Sequence, residues 1–334
     1  MKFLPRLCLV TPALAEANNG NWQTARRWAG LLSGHYRVRT VSSWSGNSAE
    51  DQADDGLLAL HARRSADSVA AWATLSPGKP LALALTGTDL YRDIEDDATA
   101  QRSLALAQRL IVLQDQGPLA LPATLRERCR VVLQSSTRRK TLAKSSLHLR
   151  ALMVGHLREE KSPETLFNAA RLLRADEGIL LDHIGRELTP DLGEQARATM
   201  AECPHYRWLG GLAHGATRQR IQRAHVLVHP SRMEGGAHVI MEAALSGTPV
   251  LASRVPGNVG MLGSDYAGYF ESGDAAGLVR LLRACRKDMA QPRGLLSGLQ
   301  SQCEARAALF EPAAERAALL QALAGLHWPT RQCP

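Results

Sequence analysis

Short apolar runs alternate along the whole chain with stretches whose apolar residues recur at three- and four-residue spacing. That alternation predicts parallel strands covered by helices, so the fold class is α/β. In the first half the runs place strands near Leu7–Thr11, Tyr36–Val41, Gly56–Leu60, Pro80–Leu85, Arg109–Leu113 and Arg130–Gln134. Helices are expected over Trp22–Leu32 and Ser65–Trp72, with Asn21 and Ser65 as caps. In the second half strands fall near Ala151–Val154, Ile179–Ile184, Tyr206–Leu209, Val226–His229 and Val250–Ala252. The pattern therefore runs through twice. Beyond the last strand, Ala275–Leu326 reads as helix only, and the terminal stretch 312–330 is expected to cross back onto the first half.

The chain's 334 residues exceed the size at which one core stops growing, about 250–300 residues. Two Rossmann-like domains facing a central cleft are expected: 1–134, joined by 312–330, and 151–311. Between them, 135–150 is the linker. It carries Arg138, Arg139, Lys140, Lys144 and Arg150 and no acidic residue, as a solvated connector or as an element that steers anions.

Composition is that of a globular protein, with 45% hydrophobic and 22% charged residues, which excludes disorder of the whole chain. A net charge of +8 suits anionic partners: phosphorylated small molecules, nucleic acid or acidic lipid. Against nucleic acid, aromatic residues are only 4% and no basic helix with interleaved aromatics occurs. Against a membrane, no segment approaches the ~18 apolar residues of a spanning helix. Lys2 and Arg6 before Leu7–Ala15 loosely imitate a signal peptide, but Pro12 interrupts the run, and a cytoplasmic protein is expected. The six cysteines, Cys8, Cys129, Cys203, Cys285, Cys303 and Cys333, show neither Cys-x-x-Cys nor metal-ligand spacing.

Ligands of parallel sheets bind beyond the carboxyl ends of the strands, so the residues after each run carry the chemistry. After Ala151–Val154 come Gly155, His156, Arg158 and Lys161, then Pro163 opening a helix. That turn is a receptacle for a diphosphate or a surface turn with solvated charges. After Val226–His229 come Pro230, Ser231, Glu234, Gly235, Gly236 and Ala237, where two glycines admit close backbone approach and a helix begins. Glu242 lies eight positions after Glu234, about two turns along the same helical face. The pair can grip different hydroxyl groups of one extended ligand. Gly247-Thr248-Pro249-Val250 and Pro256-Gly257-Asn258 supply a further strand and turn.

In the first half, His61, Arg63 and Arg64 follow a buried strand and precede a helix, an arrangement suited to a small dense anion. Thr86, Gly87, Thr88 and Asp89 follow another. Asp89 is placed to hold a sugar hydroxyl or to cap the next helix. The acidic cluster Asp93, Glu95, Asp96 and Asp97 reads as a helix start. No Asp-x-Asp triplet occurs, so no metal and no other cofactor is required. His225 and His229 read as structural.

The Glu234/Glu242 pair, the preceding Pro230-Ser231 and Gly247-Thr248-Pro249-Val250 resemble the nucleotide-sugar site of the retaining family 4 glycosyltransferases, which have the GT-B fold. The resemblance implies that Glu234 lies by the donor sugar, that Glu242 accepts from the ribose hydroxyls, and that Gly235 and Gly236 present amides to the sugar or diphosphate. It puts Lys161 at the diphosphate. His156 departs from the pattern, which has arginine there, and Arg158 is placed to compensate.

Thr11-Pro12-Ala13, Asn18-Asn19-Gly20-Asn21-Trp22-Gln23-Thr24-Ala25, Leu60-His61-Ala62-Arg63-Arg64-Ser65 and Leu85-Thr86-Gly87-Thr88-Asp89-Leu90-Tyr91-Arg92-Asp93 resemble one subfamily over nearly the whole chain, the selenosugar synthases of selenoneine biosynthesis. That resemblance implies UDP-GlcNAc or UDP-glucose as donor and selenophosphate as acceptor, held by Asn19, Gly20, Asn21, His61, Arg63, Arg64, Thr86, Gly87 and Thr88. Selenium is already nucleophilic, so Glu234, Lys161, Arg158, Asp89 and His61 would place the substrates and compensate charge. An ordinary family 4 transferase acting on a hydroxyl is the rival enzyme, with His61 or Asp89 as base. A binding protein for nucleotides or nucleic acid is the rival without catalysis.

Overall fold

The computed structural model describes residues 4–12, 20–289, 291 and 293–328. They form two compact units, Met1–Gln134 with Pro312–Pro334, and Ser135–Glu311. Each is built on one six-stranded sheet in which every pairing is parallel. The architecture is α/β, as the apolar runs predict.

In the first unit β1 (Arg6–Val10), β2 (Arg37–Val41), β3 (Gly56–Leu60), β4 (Leu81–Ala84), β5 (Arg109–Val112) and β6 (Cys129–Val131) lie in the order β2-β1-β3-β4-β5-β6. The central strands read as unbroken apolar runs because helices cover both faces, and every residue of β3 is buried. Asn21 lies within the described helix Gly20–Leu32 rather than at its cap. Ser65 precedes the helix Ala66–Leu75, but its hydroxyl donates to the Leu60 carbonyl at 2.7 Å and closes the loop instead of capping.

The C-terminal helix Pro312–Ala324 packs on Gly20–Leu32 through Leu319, Ala322 and Leu323, which join Leu7, Leu9, Trp28, Leu58 and Ile111 in one core. Buried Glu315 fixes it there, accepting from Trp28 Nε1 at 2.7 Å and Arg27 Nε at 2.8 Å. A buried carboxylate is tolerated because those donors satisfy it.

The second unit carries β7 (Leu149–Val154), β8 (Ile179–Ile184), β9 (Tyr206–Trp208), β10 (Val226–His229), β11 (Val250–Ser253) and β12 (Tyr269–Phe270), in the order β12-β11-β10-β7-β8-β9. At two residues β12 is too short to leave an apolar run.

The basic stretch read as a linker runs along this unit. Arg139 N donates to the Leu245 carbonyl at 3.0 Å, Thr141 Oγ1 to the Ser246 carbonyl at 2.8 Å and Lys144 Nζ to the Gly247 carbonyl at 3.4 Å. These groups take up carbonyls where the helix His238–Ala244 ends, and cations are favoured at such an end. Burial pushes the Lys144 ammonium down to about 8. Arg138 pairs with Glu304 at 2.7 Å and Glu311 at 3.3 Å. The side chains of Arg138 and Lys144 are therefore engaged with the fold.

The five described cysteines are buried and free. Among the described residues no helix is long and apolar enough to cross a membrane.

Candidate functional site

In the second sheet the chain passes from β7 to β8 on one side and returns with β10 on the other. The loops leaving β7 and β10 therefore diverge, and a crevice opens at the carboxyl ends of these two neighbours. The loop 155–162 leaves β7. Gly155 N donates to the Ile184 carbonyl at 2.9 Å, and the Gly155 carbonyl lies 3.0 Å from His183 Nε2. Gly185 makes that approach possible: a Cβ there would sit 1.9 Å from the Gly155 oxygen. His183 is fully buried, and burial lowers its pKa to about 4, so it serves as a neutral strut.

From Gly155 the chain turns through Leu157, which is buried, to Glu159–Lys161. Ser162 takes a left-handed φ of 46°, reversing the chain into the helix Pro163–Leu172. The Lys161 stem lies over Gly155, and its ammonium pairs with Glu234.

Glu234 stands on the loop that leaves β10. Buried Ser231 gives its carbonyl to Ser253 Oγ at 2.5 Å, and Asn258 Nδ2 donates to Ser253 O and Oγ at 3.0 Å each. Arg232 N donates to the Glu160 carbonyl at 2.9 Å, tying the two loops together. A Cβ at Gly257 would sit 1.9 Å from the Glu234 carbonyl oxygen, so glycine is needed for the helix Pro256–Leu262 to approach.

The Glu234 carboxylate is buried and also lies 3.1 Å from His229 Nε2. Burial opposes its ionisation, but the Lys161 charge and the His229 hydrogen bond outweigh burial and hold its pKa well below the usual carboxylate range. For His229 burial dominates and lowers the pKa. Glu234 is thus a permanent anion between a cation and a histidine.

His229, read from the sequence as structural, lies against both Glu234 and Ser231 Oγ. A histidine closing a buried strand just before Pro230-Ser231 is the signal that pointed to it. His225 does serve as scaffold, accepting from Arg150 N at 2.9 Å and reaching the Ser145 carbonyl at 2.9 Å.

Glu242 lies little more than one turn into His238–Ala244 rather than two, because the helix starts only at His238. Its Oε1 is 2.6 Å from His214 Nε2 and 3.4 Å from Arg218 Nη1. Neither partner was evident from the sequence, since both come from the helix His214–Arg223. Gly235, Gly236 and Ala237 span the turn between Glu234 and that start. His156 is exposed and its Nδ1 accepts from Arg186 N at 3.0 Å. Arg158 is exposed, and among the described residues its ion pair is with Glu160, at 3.9 Å.

The first sheet has its own switch between β1 and β3. After β3, His61 is buried in a left-handed φ of 74°, a conformation a non-glycine residue holds only under constraint. Burial, reinforced by the Arg64 charge, lowers its pKa to about 4, so His61 is neutral near pH 7. Its Nε2 lies 3.4 Å from Thr88 Oγ1.

Asp89 is wholly buried and caps its own turn. Oδ1 accepts from Thr86 N at 2.5 Å and Thr86 Oγ1 at 2.9 Å, while Oδ2 accepts from Ala62 N at 2.7 Å. Burial raises its pKa to about 7 against the pull of those donors. With both oxygens engaged, Asp89 joins the two loops and offers nothing outward to a sugar hydroxyl.

Arg63 donates to Asp93 at 2.9 Å. Arg64 is exposed and makes no ion pair among the described residues. Asp97, from the acidic cluster, caps the helix Ala98–Leu106 by accepting from Thr99 N and Ala100 N. Gly20 and Asn21 open the helix Gly20–Leu32, Gly87 lies in the turn between Thr86 and Thr88, and Asn19 lies outside the described residues.

With this geometry in place, the chain can be set beside known proteins. Residues 134–293 match the family model described as Glycosyl transferases group 1. The second unit is therefore similar in sequence to that family. No curated protein matches the chain.

Solved structures share its fold at low identity. Sucrose-phosphate synthase from Thermosynechococcus elongatus is 16% identical, with a TM-score of 0.70, over 96% of this chain and 98% of that one. HepE of Anabaena, crystallised with UDP and glucose, is 17% identical, with a TM-score of 0.69, over 97% of this chain and 100% of that one. S. aureus TarM, in complex with Fondaparinux, alpha-GlcNAc-glycerol and UDP, is 11% identical, with a TM-score of 0.61. The alignment takes in 80% of this chain but only 55% of TarM, so the chain spans about half of that protein's length.

Proposed function

We propose that the protein is a glycosyltransferase that joins selenophosphate to the sugar of UDP-GlcNAc or UDP-glucose. The observation that carries the transferase reading is the meeting of Lys161 and Glu234 at the crevice between β7 and β10, with Glu242 on the following helix. Support for the donor comes from the group 1 match over 134–293 and from HepE, whose crystals hold UDP-glucose or UDP. Support for the acceptor is the resemblance of the first-half loops to the selenosugar synthases.

In this reading the selenium of selenophosphate attacks the anomeric carbon. The carbon–selenium bond forms as the bond from carbon to the UDP oxygen breaks, and UDP leaves with the electron pair. Water then cleaves the selenium–phosphorus bond and releases phosphate. Lys161, Arg158 and the amides that open Pro163–Leu172 offset the charge that builds on the diphosphate, and no proton need be taken from the nucleophile. His61 and Asp89 then act as supports of the acceptor loops, which agrees with their burial.

Incubation with UDP-GlcNAc or UDP-glucose, with and without selenophosphate, tests the proposal. UDP and a selenosugar detected by mass spectrometry only when both substrates are present is the expected result. UDP release with a hydroxyl acceptor alone would favour the rival transferase. Activity is expected to persist in EDTA, because the countercharges belong to the chain. Loss restored by Mg²⁺ or Mn²⁺ would defeat that account.

The two arginines after β3 are expected to differ. Arg64→Ala should raise the KM for selenophosphate about tenfold or more, since a hydrogen bond to a charged group contributes roughly 1.5–3 kcal/mol. Arg63→Ala should raise it less, because Asp93 already engages that guanidinium. Arg64→Lys should also be impaired where the contact is bidentate. Initial rates at saturating UDP-sugar check this, with the Kd for UDP unchanged in each variant. A normal KM in both alanine variants would move the anion site elsewhere.

A further inference from the structure

Glu242 is read above as the carboxylate that takes the ribose hydroxyls, and the inference here rests on that reading. A carboxylate reads two hydroxyls only if its plane is fixed, so whatever holds it shares in recognition. Two groups of the described residues meet its Oε1: His214 Nε2 at 2.6 Å and Arg218 Nη1 at 3.4 Å. Arg218 belongs to the framework. Its side chain is buried, Nη1 donates to Ser136 Oγ at 2.6 Å and Nη2 to the Thr137 carbonyl at 2.8 Å.

His214 is different. It is the first residue of His214–Arg223, and its side chain is 73% exposed although Nε2 sits against the carboxylate. So exposed a ring contributes little to packing. Its one strong interaction is the short charge-assisted contact to Oε1, where Nε2 donates. The hydrogen bond to Glu242 raises its pKa, opposed by burial and by the charges of Arg218 and Arg139.

We propose that His214 is a positioning residue of the nucleotide site: it anchors Oε1 of Glu242 so that the carboxylate is preset for a nucleoside diphosphate bearing both ribose hydroxyls. The ligand class follows from the grip, because a nucleotide lacking one hydroxyl forfeits what the fixed carboxylate offers. Exposure of His214 also makes the test clean, since its replacement leaves the core intact.

Calorimetry would give the Kd of UDP, 2′-deoxy-UDP and 3′-deoxy-UDP for the unaltered protein, His214→Leu, His214→Gln and Glu242→Ala. The unaltered protein should prefer UDP over the deoxy analogues by about tenfold or more, as for a hydrogen bond to a charged group. Glu242→Ala should lose that preference. His214→Leu should lose most of it, to within about threefold, while His214→Gln, which keeps a donor, should recover part. If Glu242→Ala loses the preference and His214→Leu keeps it, the role of His214 is overturned and the ribose reading stands. If Glu242→Ala keeps it, the ribose reading itself falls. If His214→Leu weakens all three nucleotides equally, the residue is structural and the proposal fails.

Discussion

Replacing Glu234 by glutamine or alanine should lower turnover by about ten- to a hundredfold while leaving the Kd of UDP within about twofold of its original value. The carboxylate stands between Lys161 and His229 at the carboxyl end of β10, where the proposed function puts the reacting sugar, and the same proposal gives UDP to the groups around Glu242. Removing its charge also frees the Lys161 ammonium for the diphosphate, so UDP binding has no reason to weaken. The two replacements differ in what they leave behind. Glutamine keeps an acceptor for His229 Nε2, and alanine leaves that buried nitrogen only the longer contact to Ser231 Oγ at 3.3 Å.

The same pairing sets the acid limb of stability. Glu234 has a folded pKa below the ordinary glutamate value of 4.5, so its contribution is complete above that value and fades as the pH falls below it. Glu234→Gln should flatten that part of the denaturant stability profile. Turnover at saturating substrates and calorimetric UDP titration decide the matter. A variant with normal turnover and weakened UDP binding would reverse the roles given to Glu234 and Glu242.

What the sequence showed and what it hid follow from the range of the interactions. Strands buried on both faces announce themselves as apolar runs, so among the described residues every strand but Tyr269–Phe270 is foreseen, with ends shifted by at most three residues. Lys161, Glu234 and Glu242 are legible because the residues that follow strands sit at fixed places in a chain pattern.

Their partners are not. His214 and Arg218 reach Glu242 from 28 and 24 residues away, and nothing in their own segment marks them. Asp89 shows the converse limit. Its position after a strand is compatible with ligand or cap, and only the bonds to Ala62 and Thr86 decide between them. In the basic stretch 135–150, charge counted along the sequence does not reveal that Lys144 meets the Gly247 carbonyl or that Arg138 pairs with Glu304.

The second large effect is expected at a residue with no side chain. Gly257→Ala would place a Cβ 1.9 Å from the Glu234 carbonyl oxygen and 2.8 Å from Glu234 Cβ. The first contact is with backbone, so no change of rotamer relieves it, and either the loop or the helix Pro256–Leu262 must move. Overpacking of this kind typically costs about 1–3 kcal/mol. Movement of the helix would pull Asn258 from Ser253, whose hydroxyl holds the Ser231 carbonyl, and movement of the loop would shift Glu234 from Lys161. Either route displaces the carboxylate, and a displacement of about 1 Å at a reacting centre is enough to cost on the order of a hundredfold in rate. Gly257→Ala should therefore lose stability by denaturant titration and at least about tenfold in turnover, with the protein still folded. Gly298→Ala is the control: it lies inside the helix Leu295–Ala307 with open space around the added methyl, and alanine there should be neutral or slightly stabilising. If Gly257→Ala matches that control in both measurements, the close approach does not position Glu234, and Lys161 with His229 must hold it alone.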